Sequence, residues 1–132
     1  MKTNLLSTCF CTDKISECRD FYIKYFSSRI EFDCGWYISI CIGGDGPAIQ
    51  FMEPQEARSP RYSSNGVTLN FKVDDVDSEH QKLMLAGLKE VMPLEDNPWG
   101  DRGFAIQDPN GITLYIYSDT EPSEEFKQYY RG

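Results

Sequence analysis

Residues 66–78 read GVTLNFKVDDVDS, and residues 5–17, LLSTCFCTDKISE, have the same pattern. In each stretch a segment with strand-forming residues runs through an acidic turn into a segment with helical spacing. Such internal repetition indicates two modules built on one plan. We therefore expect each module to open with a strand that is followed by a helix.

The two predicted helices each have one apolar face. Apolar residues recur three and four positions apart over residues 15–26 and again over residues 76–88. Asp75 or Asp77 is a suitable N-cap for the second helix, and Gly87 suits the left-handed residue that ends it. Both segments are therefore predicted to pack on a sheet through one side.

Short strand patterns separated by turn residues follow each helix, near residues 29–33, 36–42, 47–52, 90–92, 102–107 and 112–118. A polar, turn-rich segment, 54–65, links the first module, 1–53, to the second, 66–118, and residues 119–132 form a C-terminal tail. The prediction is an α+β protein with two βαβββ modules that form one structural domain overall.

Alternation within the strands assigns one face of each sheet to the helices. In the last strand Leu114 and Ile116 oppose Tyr115 and Tyr117. The second face is therefore a mixture of polar and aromatic side chains. Such a face either meets water or lines a cleft, and periodicity alone leaves both interpretations open.

Charge and composition exclude several classes of protein. With 13 Lys and Arg against 21 Asp and Glu the net charge is −8, which disfavours binding to a nucleic-acid backbone. We find no apolar run that would span a membrane and no signal-peptide core, and we expect a cytoplasmic protein. The five cysteines are odd in number and lack a CxxC pair, so we expect reduced, mostly structural thiols.

Three short motifs resemble one known superfamily. They are the Phe21-Tyr22 pair, the run PWGDRGF at 98–104 and the turn DPNG at 108–111. With the duplicated βαβββ unit they resemble the vicinal oxygen chelate superfamily, closest to its glyoxalase and bleomycin-resistance branch, up to about residue 118. The resemblance implies mixed sheets that curl into a cup, the glyoxalase/bleomycin resistance fold, usually within a homodimer.

The metalloenzymes of this superfamily bind a divalent ion through four side chains on the cup face. By resemblance these positions fall on Ser7, Gln50, Thr68 and Tyr115. A first-row metal needs imidazole, carboxylate or thiolate ligands, which this set lacks. The single histidine, His80, lies on the second predicted helix and is interpreted as a partly buried or surface residue. We therefore predict no metal, no cofactor and no catalytic residue.

The function that the resemblance then implies is that of a metal-free small-molecule-binding protein. It would hold an aromatic or cationic compound in a cup at the dimer interface, as antibiotic resistance proteins of the bleomycin type do. The predicted partners are this ligand and a second copy of the chain, without nucleic acid or membrane. The candidate ligand-binding residues are Ser7, Trp36, Gln50, Thr68, Asn70, Trp99, Arg102, Tyr115 and Tyr117.

Several alternatives stay open at this point. Arg102 either binds a ligand carboxylate or braces its turn through Asp101, Asp108 or a backbone carbonyl. Trp36 has the same parity as Ile38, which favours the core over a pocket. The chain is alternatively a divergent metal-dependent glyoxalase-like lyase, isomerase or dioxygenase, or an interaction module without a small ligand.

Overall fold

Two units, Met1–Ser64 and Asn65–Gly132, make up the chain, and each contains one four-stranded mixed sheet. The computed structural model describes residues 1–58, 60–63 and 66–131. Each unit runs strand, helix and three strands, which confirms the predicted α+β fold with two βαβββ modules. Within the described residues, no helix combines the length and the apolar character needed to cross a membrane.

The first unit consists of β1 (Thr8–Cys11), α1 (Ile15–Phe26), β2 (Arg29–Asp33), β3 (Tyr37–Cys41) and β4 (Ala48–Met52). The order across the sheet is β1-β4-β3-β2, with β1 parallel to β4 and the other pairs antiparallel. Helix α1 buries Tyr22, whose ring centroid lies 5.7 Å from that of Phe51 on β4. The apolar face of the helix thus covers one side of the sheet.

The second unit consists of β5 (Thr68–Lys72), α2 (Val76–Leu85), β6 (Met92–Asn97), β7 (Asp101–Gln107), β8 (Thr113–Asp119) and a short α3 (Glu124–Lys127). Its order, β5-β8-β7-β6, repeats that of the first unit, with β5 parallel to β8. The side chain of Asp75 accepts a hydrogen bond from the Ser78 amide at 3.1 Å, so Asp75 is the N-cap of α2. Gly87, with a φ of 94°, follows its C-terminal end.

Strand β6 differs from the prediction. We expected it near residues 90–92, whereas it spans Met92–Asn97 and includes the residue expected to begin a turn. Its pairing with β7 is irregular between Met92 and Glu95, where Pro93 lies. An edge strand that is mostly exposed needs no apolar alternation and tolerates proline, so its sequence has no strand periodicity to detect.

The core of the second unit lies between α2 and one face of its sheet. Fully buried side chains on that face include Phe104, Ile106, Leu114 and Ile116. Because successive side chains point to opposite faces of a strand, the intervening residues lie on the other face. The non-helical face of the second sheet therefore presents Tyr115 and Tyr117, as the alternation predicted.

Candidate functional site

A cavity of about 490 Å³ opens on the non-helical face of the second sheet. It is lined by Asn70, Trp99, Gly100, Asp101, Tyr115, Tyr117, Asp119 and Tyr130. Three strands contribute to it, and the turn between β6 and β7 and the C-terminal segment complete its wall. Four of its eight lining residues are aromatic, and Asn70, Asp101 and Asp119 add polar side chains, so aromatic and polar surfaces contribute about equally to the cavity.

Two parallel rings form the floor of this cavity. Tyr115 and Tyr117 lie two residues apart on β8, with ring centroids 5.7 Å apart and an interplanar angle of 16°. Two-residue spacing places both side chains on the same face, which lets the rings stack. Because stacked rings face each other, a planar guest stacks on an outer face of the pair rather than across both rings.

Asp101 holds the aromatic wall in place. Its Oδ1 atom accepts hydrogen bonds from the Tyr115 hydroxyl at 2.8 Å and from Asn97 Nδ2 at 2.9 Å. Its Oδ2 atom accepts one from Trp99 Nε1 at 2.9 Å. None of the described Lys or Arg side chains forms an ion pair with Asp101. The carboxylate therefore fixes two rings while leaving a negative charge at the cavity.

The Tyr115 hydroxyl is held in its neutral form. Burial, the hydrogen bond that it donates to Asp101 and the negative charge of Asp101 raise the pKa of Tyr115 well above its usual value. The hydroxyl also accepts a hydrogen bond from Asn97 Nδ2 at 3.0 Å, which opposes the shift only in part. Tyr115 is thus a fixed phenol at neutral pH, suited to stacking rather than to proton transfer.

Gly103 leaves the space that the Tyr115 ring occupies. A Cβ atom at position 103 would lie 2.5 Å from Cζ and from Oη of Tyr115, and 2.8 Å from the carbonyl oxygen of Ile116. Tyr115 pairs with Ala105 in the register, so its ring leans along β7 over Gly103 toward Asp101. Only glycine allows the ring to approach the strand this closely.

The C-terminal segment folds back onto the turn that contains Trp99. The Thr120 amide donates to the Gly100 carbonyl and the Ser123 amide donates to the Pro98 carbonyl, both at 2.9 Å. The Tyr130 hydroxyl donates a hydrogen bond to the Trp99 carbonyl. Tyr130 thereby becomes part of the cavity wall.

Gly100 permits this contact. Its φ of 115° is unfavourable for other residues, and a Cβ atom there would lie 2.8 Å from Tyr130 Oη and 2.9 Å from Pro122 Cγ. The ring of Phe126 adds an edge contact to Trp99, with centroids 6.3 Å apart. The Trp99 turn and the C-terminal segment therefore form one packed wall.

The structure brings together four of the nine candidate residues from the sequence: Asn70, Trp99, Tyr115 and Tyr117. Sequence reasoning missed Gly100, Asp101, Asp119 and Tyr130 as members of the site. Strand parity was an available signal for Asp101, which lies two residues before Gly103 on the same face of β7. No comparable signal exists for Tyr130, because its position depends on how the chain turns after β8.

Arg102 lies on the helix-facing side of the second sheet. Its guanidinium binds the Asp77 carboxylate through Nη2 at 2.9 Å and through Nε at 3.2 Å, and it lies 3.6 Å from Asp96. The bracing partners therefore differ from Asp101 and Asp108, which the sequence suggested. Arg102 lies two residues before the buried Phe104 on β7, so both side chains are on the helical face of the sheet.

Three candidate residues belong to the first unit and one more to β5. Ser7 is exposed just before β1, and Trp36 is 48% exposed before β3 rather than buried with Ile38. Gln50 is buried on β4, where its Nε2 atom donates to Ser39 Oγ at 3.2 Å. Thr68 is exposed on β5 and does not line the cavity.

The four positions that the resemblance assigns to a metal do not fit a first-row ion. Gln50 offers an ion only a neutral carboxamide oxygen, and the raised pKa of Tyr115 opposes the phenolate form that would bind a metal. Ser7 and Thr68 offer only neutral hydroxyls, which bind such ions weakly. Among the described residues, no group of three His, Cys, Asp or Glu side chains is placed to hold a metal ion. We therefore derive no chemistry through a metal.

The single histidine has a structural environment. His80 Nε2 lies 2.7 Å from Glu90 Oε2, and its ring packs edge-on against Phe104 with centroids 4.8 Å apart. It is on α2, on the opposite side of the sheet from the tyrosines. This agrees with the partly buried position expected from the sequence.

Two mycobacterial proteins are similar to this chain in sequence. An uncharacterized protein of Mycobacterium bovis is 32% identical over 117 residues, which cover 80% of this chain and 77% of that protein. An uncharacterized protein of Mycobacterium tuberculosis has the same identity and covers 80% of this chain and 69% of its own length. These relatives extend the family without adding a function.

Solved structures with this fold include a glyoxalase/bleomycin resistance protein/dioxygenase from Nocardioides, with a TM-score of 0.75, 16% identity and coverage of 92% of this chain and 86% of that one. TioX from a Micromonospora species has a TM-score of 0.70 and 18% identity, and the match covers 89% of this chain and 99% of TioX. Lactoylglutathione lyase from Agrobacterium tumefaciens has a TM-score of 0.71 and 18% identity, and the match covers 89% of this chain and 95% of that lyase. At these identities the likeness shows the fold alone.

The sequence profile of the glyoxalase-like domain matches residues 5–121, which is most of the chain. Both βαβββ modules, and every strand that lines the cavity, lie within this match. Sequence profile, fold and module topology therefore agree, and the chain belongs to the glyoxalase-like domain family of the vicinal oxygen chelate superfamily.

Proposed function

We propose that this protein binds a flat aromatic compound, cationic or neutral, on the tyrosine face of its second module and releases it unchanged. The observation that carries the proposal is the stacked Tyr115–Tyr117 pair, fixed at one end by Asp101 inside a cavity with further aromatic walls. A face of this kind has no need of a catalytic group. Its affinity comes from stacking and burial of ring surface.

The dimensions and energetics of the cavity support this proposal. A volume of about 490 Å³ is within the range of roughly 300–1,000 Å³ in which small-molecule sites fall. Stacking of one planar ring on aromatic side chains contributes about 1–3 kcal/mol. A micromolar dissociation constant requires about 8.2 kcal/mol, so stacking supplies part of the affinity and burial of the remaining ring surface in the cavity must supply the rest.

Electrostatics favours a cationic guest. Asp101 has neutral hydrogen-bond donors around it, and the chain has a net charge of −8. A cation above a tyrosine ring gains a further attraction of about 0.5–2 kcal/mol. A planar aromatic cation satisfies both features, and retention of such an antibiotic is the resistance function that the superfamily resemblance suggests.

The proposal includes assembly as a homodimer. Trp36 and Phe32 are about half exposed and make edge contacts with Tyr37, at centroid distances of 6.2 Å and 6.0 Å. Exposed aromatic clusters are typical of protein interaction surfaces. Native mass spectrometry checks this part of the proposal, because a purely monomeric protein at micromolar concentration would contradict it.

Tryptophan fluorescence gives a direct test, because the two tryptophans lie in different units. Trp36→Phe leaves Trp99 in the cavity wall as the reporter, and Trp99→Phe leaves Trp36 as the matched control. Each variant is titrated with proflavine, isoquinoline and isoquinolinone. We expect saturable quenching in the first variant and only linear, collisional quenching in the second.

A second pair of variants assigns the binding to the tyrosine face. Tyr117→Ala removes half of the stacked floor and is expected to weaken proflavine binding about tenfold, or about 1.4 kcal/mol. Tyr129→Ala removes an exposed tyrosine that does not line the cavity, and it should leave the affinity unchanged. Absence of saturable binding by all three compounds, or equal loss in both variants, would refute the proposed function.

A further inference from the structure

Most polar groups in the cavity are already used by the protein. A carboxylate offers about four acceptor positions, and Asp101 uses three of them for Tyr115, Asn97 and Trp99. The Asp119 carboxylate forms an ion pair with Lys72. Asp101 therefore has little acceptor capacity left, whereas Asp119 keeps acceptor positions, but neither carboxylate can donate a hydrogen bond to a guest.

The hydroxyls of the cavity are largely used as well. Tyr115 both donates and accepts a hydrogen bond, and Tyr130 donates to the Trp99 carbonyl. The Tyr117 hydroxyl makes no hydrogen bond with the described residues, but a hydroxyl rotates to suit any partner and so discriminates poorly. A donor and an acceptor held side by side in a fixed plane must therefore come from another side chain.

Asn70 is that side chain. It lines the cavity and is exposed, and its carboxamide forms no hydrogen bond with the described residues. It lies in the middle of β5 and pairs directly with Tyr115 in the parallel register. A central position on a paired strand fixes the backbone from which the carboxamide reaches into the cavity.

A carboxamide presents one acceptor and two donor hydrogens in a plane. It matches a partner with an N–H group next to an acceptor, as asparagine does when it forms two hydrogen bonds to one edge of adenine. The Tyr115 ring leans from β8 toward β7, and Asn70 lies on β5 on the other side of β8, so a guest that spans the cavity between them has one edge at the carboxamide. The edge of the guest and the carboxamide can therefore meet through two hydrogen bonds.

We infer that Asn70 recognises the polar edge of the bound ring, and that the guest is a planar heteroaromatic compound with adjacent N–H and C=O groups. The inference rests on the proposed function, since it names the class of compound that the same cavity selects. Stacking supplies the affinity for flat rings in general. Asn70 supplies the preference for cyclic amides among them.

Isothermal titration calorimetry at neutral pH tests this with a matched pair of probes. Isoquinolinone has the cyclic amide edge, and isoquinoline has nearly the same ring area without it. We expect the wild-type protein to bind isoquinolinone about tenfold more tightly than isoquinoline, equivalent to about 1.4 kcal/mol. Asn70→Ala should remove this preference and leave the affinity for isoquinoline unchanged.

Thr68→Ala is the control, because Thr68 lies on the same face of β5 two residues away and outside the cavity. It should preserve the preference. Circular dichroism melts establish that both variants fold. Equal affinity of the wild-type protein for the two probes, or an unchanged preference in Asn70→Ala, overturns the inference while the proposed function stands. Failure of proflavine and both probes to bind the wild-type protein overturns both.

Discussion

Replacing Gly103 by alanine should destabilise the second unit and detach Tyr115 from Asp101. The added Cβ atom would lie 2.5 Å from the Tyr115 ring, so the ring must move by about 1 Å to reach ordinary contact distance. The Ile116 carbonyl, at 2.8 Å, belongs to the β8 backbone and has little freedom to move. Overpacking of this kind costs about 1–3 kcal/mol.

The displaced ring also loses a hydrogen bond. Moving Tyr115 by about 1 Å stretches its 2.8 Å bond to Asp101 beyond useful length, which costs about a further 1 kcal/mol. We therefore expect Gly103→Ala to lower the free energy of unfolding by about 2–4 kcal/mol in total. Urea unfolding followed by circular dichroism measures this value.

A double-mutant cycle separates the ring from the backbone. In a Tyr115→Ala background only the contact with the Ile116 carbonyl remains, so Gly103→Ala should cost about 1–2 kcal/mol less than in the wild-type protein. The reasoning is refuted if the two substitutions add within about 0.5 kcal/mol, because independent sites are additive to that precision.

Three further predictions concern the same unit. The pKa of Tyr115 is raised in the folded state, so the stabilisation that its neutral hydroxyl provides is complete below the unfolded pKa of about 10 and is lost as the pH rises above that value. In urea unfolding curves the wild-type protein should therefore lose stability at alkaline pH more steeply than Tyr115→Phe. The hydrogen bond and charge of Arg102 lower the pKa of Asp77. The difference in unfolding free energy between the wild-type protein and Arg102→Gln should therefore be constant above about pH 5 and should shrink below about pH 4. A difference that does not change with pH in that range would argue against a stabilising Arg102–Asp77 ion pair. Gly100→Ala should release the C-terminal segment, which faster amide hydrogen exchange over residues 120–130 would reveal, and unchanged exchange would show that the contact is dispensable.

The alternation of residues was sufficient to predict the tyrosine face. Leu69 and Phe71 oppose Asn70 on β5, and Tyr115 and Tyr117 oppose the buried residues of β8, so the composition of both faces follows from parity. The same rule places Arg102 with Phe104 on the helical side, although its charge suggested a ligand-binding role. Local pattern therefore predicts which face a residue occupies.

Features that depend on the path of the chain were not predictable in this way. Tyr130 reaches the cavity because backbone hydrogen bonds of residues 120–123 join the C-terminal segment to the Trp99 turn, and no periodicity encodes such a contact. Trp36 is exposed because it precedes β3, so the strand alternation that holds from Tyr37 does not extend to it. Edge strand β6 was expected near residues 90–92 rather than at Met92–Asn97, because an exposed strand lacks an apolar repeat that would define its bounds.

The parallel pairing of β5 with β8 also determines when the cavity appears during folding. Strands β6, β7 and β8 are neighbours in sequence and pair through short turns, whereas β5 reaches β8 only after the whole intervening helix and hairpins have been placed. Closing so long a loop is entropically costly and tends to occur late. Because Asn70 is on β5 and the tyrosines are on β8, a ligand has no complete site to bind until that last pairing forms. A bound compound should accordingly slow the unfolding rate of the protein and leave its refolding rate nearly unchanged.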